Sequence, residues 1–142
     1  MAGAVDRSHR GETLPAVRLT DLEGHAVSRA GEAGKPLLVN LWATWCAPCV
    51  AELPSLDRAA AGRVAVAIDQ GEDAAKVRPF LAARHLANLR PLLDGGMTVS
   101  TTLPANLPTT ILYDAAGREV WRVAGGRDWS TAESARLLAE AR

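Results

Sequence analysis

The chain has 142 residues, with 16 Lys and Arg against 16 Asp and Glu and a formal net charge of zero at pH 7. That length suits one domain with one core, and the even charge leaves no footprint for nucleic acid or an anionic membrane. Two cysteines cannot build a disulfide framework, and no segment reaches the roughly 18 apolar residues of a membrane span.

Met1 to Thr13 mix charge and glycine without periodicity and read as a flexible lead-in to a single domain over residues 14–142. The first ten residues also lack the apolar core of a signal peptide. Alternation over Leu14–Thr20, turn chemistry at Asp21–His25 and a second extended stretch at Ala26–Ser28 predict an N-terminal β-hairpin. Pro36–Ala43 is almost wholly apolar, as expected of a central strand buried on both faces. From Pro48 the pattern turns helical, with Val50, Leu53 and Leu56 spaced by three and a kink expected at Pro54. Arg63–Asp69 reads as a second buried strand. Glu72–Leu86 reads as a helix with Val77, Phe80, Leu81 and Leu86 inward. A short extended piece at Leu89–Leu93 and a helical turn at Val99–Leu103 precede a hairpin, Thr109–Asp114 with Glu119–Gly125. Ser130 with Glu133 three residues on reads as a capping box for a last helix ending near Ala141. This alternation predicts an α/β fold with a central mixed sheet flanked by helices.

The only two cysteines, Cys46 and Cys49, stand three apart between the buried strand and the helix. A strand that delivers Cys-x-x-Cys to a helix's first turn sets both sulfurs on one face, close enough to open and close a disulfide. The leading sulfur meets unpaired backbone N–H groups and the positive helix end, which favour its thiolate. Cys46 is therefore expected to be the nucleophile, and Cys49, one turn deeper, the shielded resolving thiol. Two thiolates could instead hold Cu(I) or half of a zinc site, although structural zinc wants four ligands and no second Cys-x-x-Cys is present. Trp45, beside Cys46, is expected to shield the disulfide and offer partners an apolar platform, whereas Trp42, Trp121 and Trp129 read as packing residues. His9, His25 and His85 are scattered and carry no motif.

The run Asn40-Leu41-Trp42-Ala43-Thr44-Trp45-Cys46-Ala47-Pro48-Cys49, then Glu52-Leu53-Pro54 and the later Leu107-Pro108-Thr109-Thr110, resembles the TlpA/ResA branch of extracytoplasmic thiol-disulfide oxidoreductases in the thioredoxin superfamily. The resemblance runs from Leu14 onward and implies a thioredoxin fold with an N-terminal hairpin extension. It implies that Pro108 is a cis proline beside the disulfide, and that Trp45, Ala47, Pro48, Leu107 and Pro108 form the substrate surface. Asn40 departs from cytosolic thioredoxins, which carry an acid there; in this branch the acid three residues past the second cysteine, here Glu52, takes over proton transfer. The implied activity is reduction of disulfides in partner proteins, in cytochrome c maturation or copper-site preparation, with the disulfide itself as the only redox group and no other cofactor. Oxidase or isomerase activity is the alternative within the fold. The implied partners are a disulfide-containing protein and an upstream thiol donor, membrane-bound in such families. The chain is expected to act as a monomer in the bacterial periplasm or another extracytoplasmic space, with a signal or anchor missing from this sequence; a cytoplasmic setting is the alternative.

Overall fold

The computed structural model describes residues 4–28 and 30–142. In chain order the elements are β1 (Val5–Asp6), β2 (Leu19–Thr20), β3 (Ala26–Val27), β4 (Leu37–Trp42), α1 (Ala47–Ala59), β5 (Val64–Gln70), α2 (Ala74–Ala82), β6 (Arg90–Asp94), α3 (Thr98–Thr102), β7 (Thr109–Tyr113), β8 (Glu119–Ala124) and α4 (Ala132–Leu138). The strands make one mixed sheet in the order β1-β8-β7-β4-β5-β6-β2-β3. β4, β5 and β6 run parallel, while β7 lies antiparallel to β4 with Thr109 opposite Leu41. That register puts the start of β7, and Pro108 just before it, at the same end of the sheet as the exit from β4 toward the cysteines.

All six residues of β4 are buried, which explains its unbroken apolar run. Leu38 and Trp42 point to a core shared with Leu53 and Leu56 of α1, Val77 and Leu81 of α2, and Leu137 and Leu138 of α4. Leu37, Val39 and Leu41 point the other way, into a core closed by Val99 and Leu103 around α3 and by Leu19 and Val27 of the β2–β3 hairpin. Asn40 shares the first face, so a single polar side chain is aimed beneath α1.

The described part of the expected flexible lead-in, residues 4–13, is instead tied to the sheet. Val5 pairs with Val123 and Asp6 with Arg122, Thr13 bridges to Arg118, and the Arg7 guanidinium holds Glu140 at 2.7 and 2.8 Å. Without this segment β8 would be an open edge with a row of unpaired backbone groups, and the pairing satisfies them. Met1, Ala2 and Gly3 lie outside the described residues. The first hairpin strand is shorter than Leu14–Thr20, because only Leu19 and Thr20 meet a partner. α2 is shorter than its pattern at both ends: Asp73 caps it by accepting the Lys76 N–H, and His85 beyond its end adopts a left-handed φ of 51°. The cap of α4 is Thr131, one residue past the expected Ser130: its hydroxyl accepts the Ser134 N–H at 3.1 Å, while the Ser130 hydroxyl turns back to Asp128.

One buried carboxylate ties α1 to the loop before β6. Asp57 accepts the N–H groups of Ala87 at 3.0 Å, Asn88 at 2.8 Å and Leu89 at 2.9 Å. Burial pushes its pKa up, but these three donors outweigh it and hold the carboxyl below its usual range. Its stabilisation is therefore present above the unfolded pKa near 3.8 and is lost as pH falls through the lower folded value. Asp57→Ala would orphan three backbone donors, and we expect a loss of about 3 kcal/mol in urea unfolding at pH 7 that shrinks as pH is lowered below about 4.

Candidate active site

β4 ends at Trp42, and four residues later Cys46 serves as the N-cap of α1 in an extended conformation, φ −92° and ψ 101°. Its sulfur accepts the Cys49 N–H at 3.4 Å, a donor that a helix leaves free in its first turn. Pro48 occupies that turn, where its missing N–H costs nothing. Cys46 and Cys49 are joined as a disulfide with Cα atoms 5.3 Å apart. Cys49 is fully buried and Cys46 nearly so, at 5% exposed, whereas Trp45 before them is 66% exposed and Ala47 and Pro48 between them are exposed. Across the gap, the Leu107–Pro108 peptide is cis, Pro108 is buried and Leu107 is half-buried. Among the described residues no cluster of three His, Cys, Asp or Glu side chains is placed to hold a metal around the two sulfurs.

One turn past Cys49, Glu52 projects into the protein rather than into water and is only 3% exposed. Asn40 Nδ2 donates to its Oε1 at 2.9 Å; the Arg127 backbone N–H and Trp129 Nε1 each donate to its Oε2 at 3.1 Å. Every donor is neutral. The guanidinium of Arg127 is led away, to the Ser134 hydroxyl and to Glu133. Burial pushes the Glu52 pKa up to about 7, against the three hydrogen bonds that favour the carboxylate. An open groove of about 440 Å³, lined among others by Pro48, Glu52, Arg127 and Asp128, connects this chamber with solvent. A carboxyl poised near neutrality, one helical turn past a buried cysteine and lining a groove open to solvent, can take up and release a proton at working pH.

Sequence reasoning reached Glu52 and Asn40 but not the other wall of the chamber. Trp129, expected only to pack, does pack, stacking on Trp121 at 5.8 Å, and also donates to Glu52. Its backbone N–H is held by Ser55 on α1 at 3.1 Å, and Thr110 accepts the second Asn40 N–H at 3.0 Å. Trp129 lies 77 residues from Glu52, and no local pattern marks the pairing.

The Redoxin family model matches residues 9–137, most of the chain. The chain belongs to the Redoxin family. This redoxin is 29% identical over 120 residues to the thiol-disulfide oxidoreductase ResA of Bacillus thuringiensis subsp. konkukian, covering 81% of this chain and 69% of that one. It is 33% identical over 119 residues to the thiol:disulfide interchange protein HelX of Rhodobacter capsulatus, covering 81% and 68%. In three dimensions it matches a secreted Mycobacterium tuberculosis disulfide oxidoreductase homologous to E. coli DsbE, with a TM-score of 0.71, 25% identity and coverage of 88% and 96%. The redoxin is thus a thiol-disulfide oxidoreductase of the ResA-like type with a thioredoxin-like fold, as the motif around Cys46 implied, and disulfide-containing molecules and thiols are its substrates and donors.

A raised carboxyl pKa also leaves a thermodynamic mark on this redoxin. The folded state keeps the Glu52 proton to about pH 7 while the unfolded chain releases it near 4.5, so stability falls as pH rises between those values. Glu52→Gln removes that slope. Between pH 5 and 8 we expect the melting temperature of the wild type to drop relative to the variant by on the order of 5 °C, measured by circular dichroism on the oxidised protein.

Proposed function

We propose that this chain reduces disulfides in extracytoplasmic proteins, with Cys46 attacking, Cys49 resolving and Glu52 managing the proton of Cys49. The observation that carries this reading is the division of the site into an accessible rim and a closed interior. The thiolate of Cys46, favoured at the start of α1, attacks one sulfur of a partner disulfide; that bond breaks, a mixed disulfide forms, and the partner's other sulfur leaves as a thiolate that takes a proton. Glu52 then accepts the Cys49 proton, Cys49 attacks Cys46, and the partner's second thiolate departs. Two electrons have passed to the partner, and an upstream thiol donor restores the dithiol.

The rim fits an extended partner. Trp45, Ala47 and Pro48 offer an apolar and unbranched surface beside the sulfur. The Pro108 carbonyl is taken by the Gly125 N–H at 2.8 Å, but among the described residues the N–H and C=O of Leu107 have no partner within the chain, so a substrate strand can pair there. No cofactor beyond the disulfide enters this cycle. We read the chain as a monomer working in the periplasm or another extracytoplasmic space, supplied by a membrane-bound donor, in cytochrome c maturation or copper-site preparation. The secreted relative from Mycobacterium tuberculosis supports an extracytoplasmic setting. Among the described residues no helix is long and apolar enough to cross a membrane.

The direction of electron flow is tested by titrating the Cys46–Cys49 pair in defined thiol/disulfide buffers. A two-electron midpoint below about −220 mV supports a reductant, and one near about −120 mV would make the protein an oxidant. With a disulfide peptide as substrate, Cys46→Ser is expected to abolish exchange and Cys49→Ser to accumulate a mixed disulfide on Cys46; trapping on Cys49 instead would reverse the two roles. Glu52→Gln should slow the resolving step about 100-fold at pH 7 and remove the inflection near that pH from its rate profile. An unchanged profile would leave Glu52 a structural acid.

A further inference from the structure

The loop between β4 and α1 is gripped from outside the Glu52 chamber by a second acid. Glu72, just past β5, uses both carboxylate oxygens on one residue: Oε1 accepts the Thr44 N–H at 2.8 Å and Oε2 the Thr44 hydroxyl at 2.6 Å. Thr44 stands next to Trp45 and two residues before Cys46. The Glu72 N–H in turn donates to Asp69 Oδ1 at 3.1 Å. Asp69 is fully buried at the end of β5, opposite Trp42 in the register, and its Oδ2 has no hydrogen-bond partner among the described residues. Neither acid takes part in the exchange cycle above.

We propose that Glu72 is a positioning residue for thiol–disulfide exchange, fixing through Thr44 the loop that presents Trp45 and Cys46, and that Asp69 holds this grip in place by sharing a proton with the Glu72 carboxylate. Two carboxyls side by side away from water cannot both ionise cheaply, so the pair keeps one proton at neutral pH. Burial and the neighbouring Glu72 push the Asp69 carboxyl up to about 8, so the proton rests there. Protonated, the otherwise unpaired oxygen of Asp69 becomes a donor and Glu72 its acceptor. Glu72 stays ionised, with Thr44 and Asp69 outweighing the effect of burial. The charged groups facing the pair are few. Lys76 Nζ approaches Glu72 Oε2 at 3.6 Å from α2; the β4–α1 loop brings the neutral Thr44; β4 and β6 bring Trp42 and Leu93 alongside Asp69. Asp94, next along β6, has its oxygens occupied by the N–H groups of Thr98 and Val99. When the shared proton is lost, a second negative charge enters this pocket with one exposed lysine to offset it, and the seat under Thr44 loosens.

The test uses the oxidised full chain, in which no thiol titrates, and follows tryptophan emission from pH 5 to 10. The expected result is a transition near pH 8 that disappears in Asp69→Asn and in Trp45→Phe but survives in Glu52→Gln. Its dependence on Asp69 rather than Glu52 separates this proposal from the proton-transfer role of Glu52, so either can fail alone. Persistence of the transition in Asp69→Asn, or its absence from the wild type, would overturn the shared proton. In the reduced protein, Thr44→Val should lower kcat/KM for a disulfide peptide about tenfold at pH 7, with kcat falling more than KM rises, and Thr44→Ser should restore it to within about twofold. Wild-type kinetics in Thr44→Val would overturn the positioning role, whatever the folding of the Asp69 variant.

Discussion

Glu52 is a carboxyl held in a largely buried chamber by donors that carry no formal charge, and the rest of the site is arranged around that constraint. Desolvation favours its neutral form, while Asn40, the Arg127 amide and Trp129 favour the anion, and the balance settles close to neutral pH. A nearby guanidinium would have tipped it toward permanent ionisation. The contacts of Arg127 with Ser134 and Glu133 direct that cation elsewhere while its backbone amide stays on Glu52. This near-balance is what the proton-transfer role proposed for Glu52 requires, because a strongly held proton and a strongly held charge are both poor carriers.

Four separate stretches build the chamber, and the sheet brings them together. β4 offers Asn40 from below, β7 supplies the Thr110 hydroxyl that orients it, α1 places Glu52 above, and the turn after β8 closes the side with Arg127 and Trp129. That turn is pinned in two ways, since Ser55 holds the Trp129 amide and Trp121 stacks on the indole, and at Gly126 it passes close to Pro48. Gly126 thus lies against the first turn of α1, which carries the disulfide.

The reactive groups gather where the parallel strands end. The cysteines follow β4, Asp69 and Glu72 close β5, and Asp94 closes β6 and caps α3. At these carboxyl ends the chain leaves the sheet, side chains and free amides converge, and loops can be shaped without disturbing the core. Burial changes sharply across this boundary, since fully covered Cys49 and 3% exposed Glu52 lie four and seven residues from Trp45, which is 66% exposed. Cys46, 5% exposed beside that tryptophan, and the wholly covered Cys49 are thereby placed three residues apart.

Much of this was legible in the chain. The apolar run of β4, the helical spacing after Pro48 and the Cys-x-x-Cys between them depend on neighbours in sequence, and local periodicity specifies a buried strand, a helix and a pair of sulfurs on its first turn. Asn40 and Glu52 were legible through resemblance to a family motif. Helix ends were less so: α2 and α4 both start at a cap one residue beyond the expected start, because Asp73 and Thr131 compete with equally plausible neighbours and packing decides between them. Residues 4–13 carry no periodic signal because they add to an existing strand edge, and a two-residue strand needs a partner more than a pattern. Sequence by itself thus determined the central strands and helices and the redox pair. Only the tertiary structure decided what surrounds Glu52 and what holds Thr44, because a pKa and a hydrogen-bond grip are set by atoms that fold in from 28 to 77 residues away.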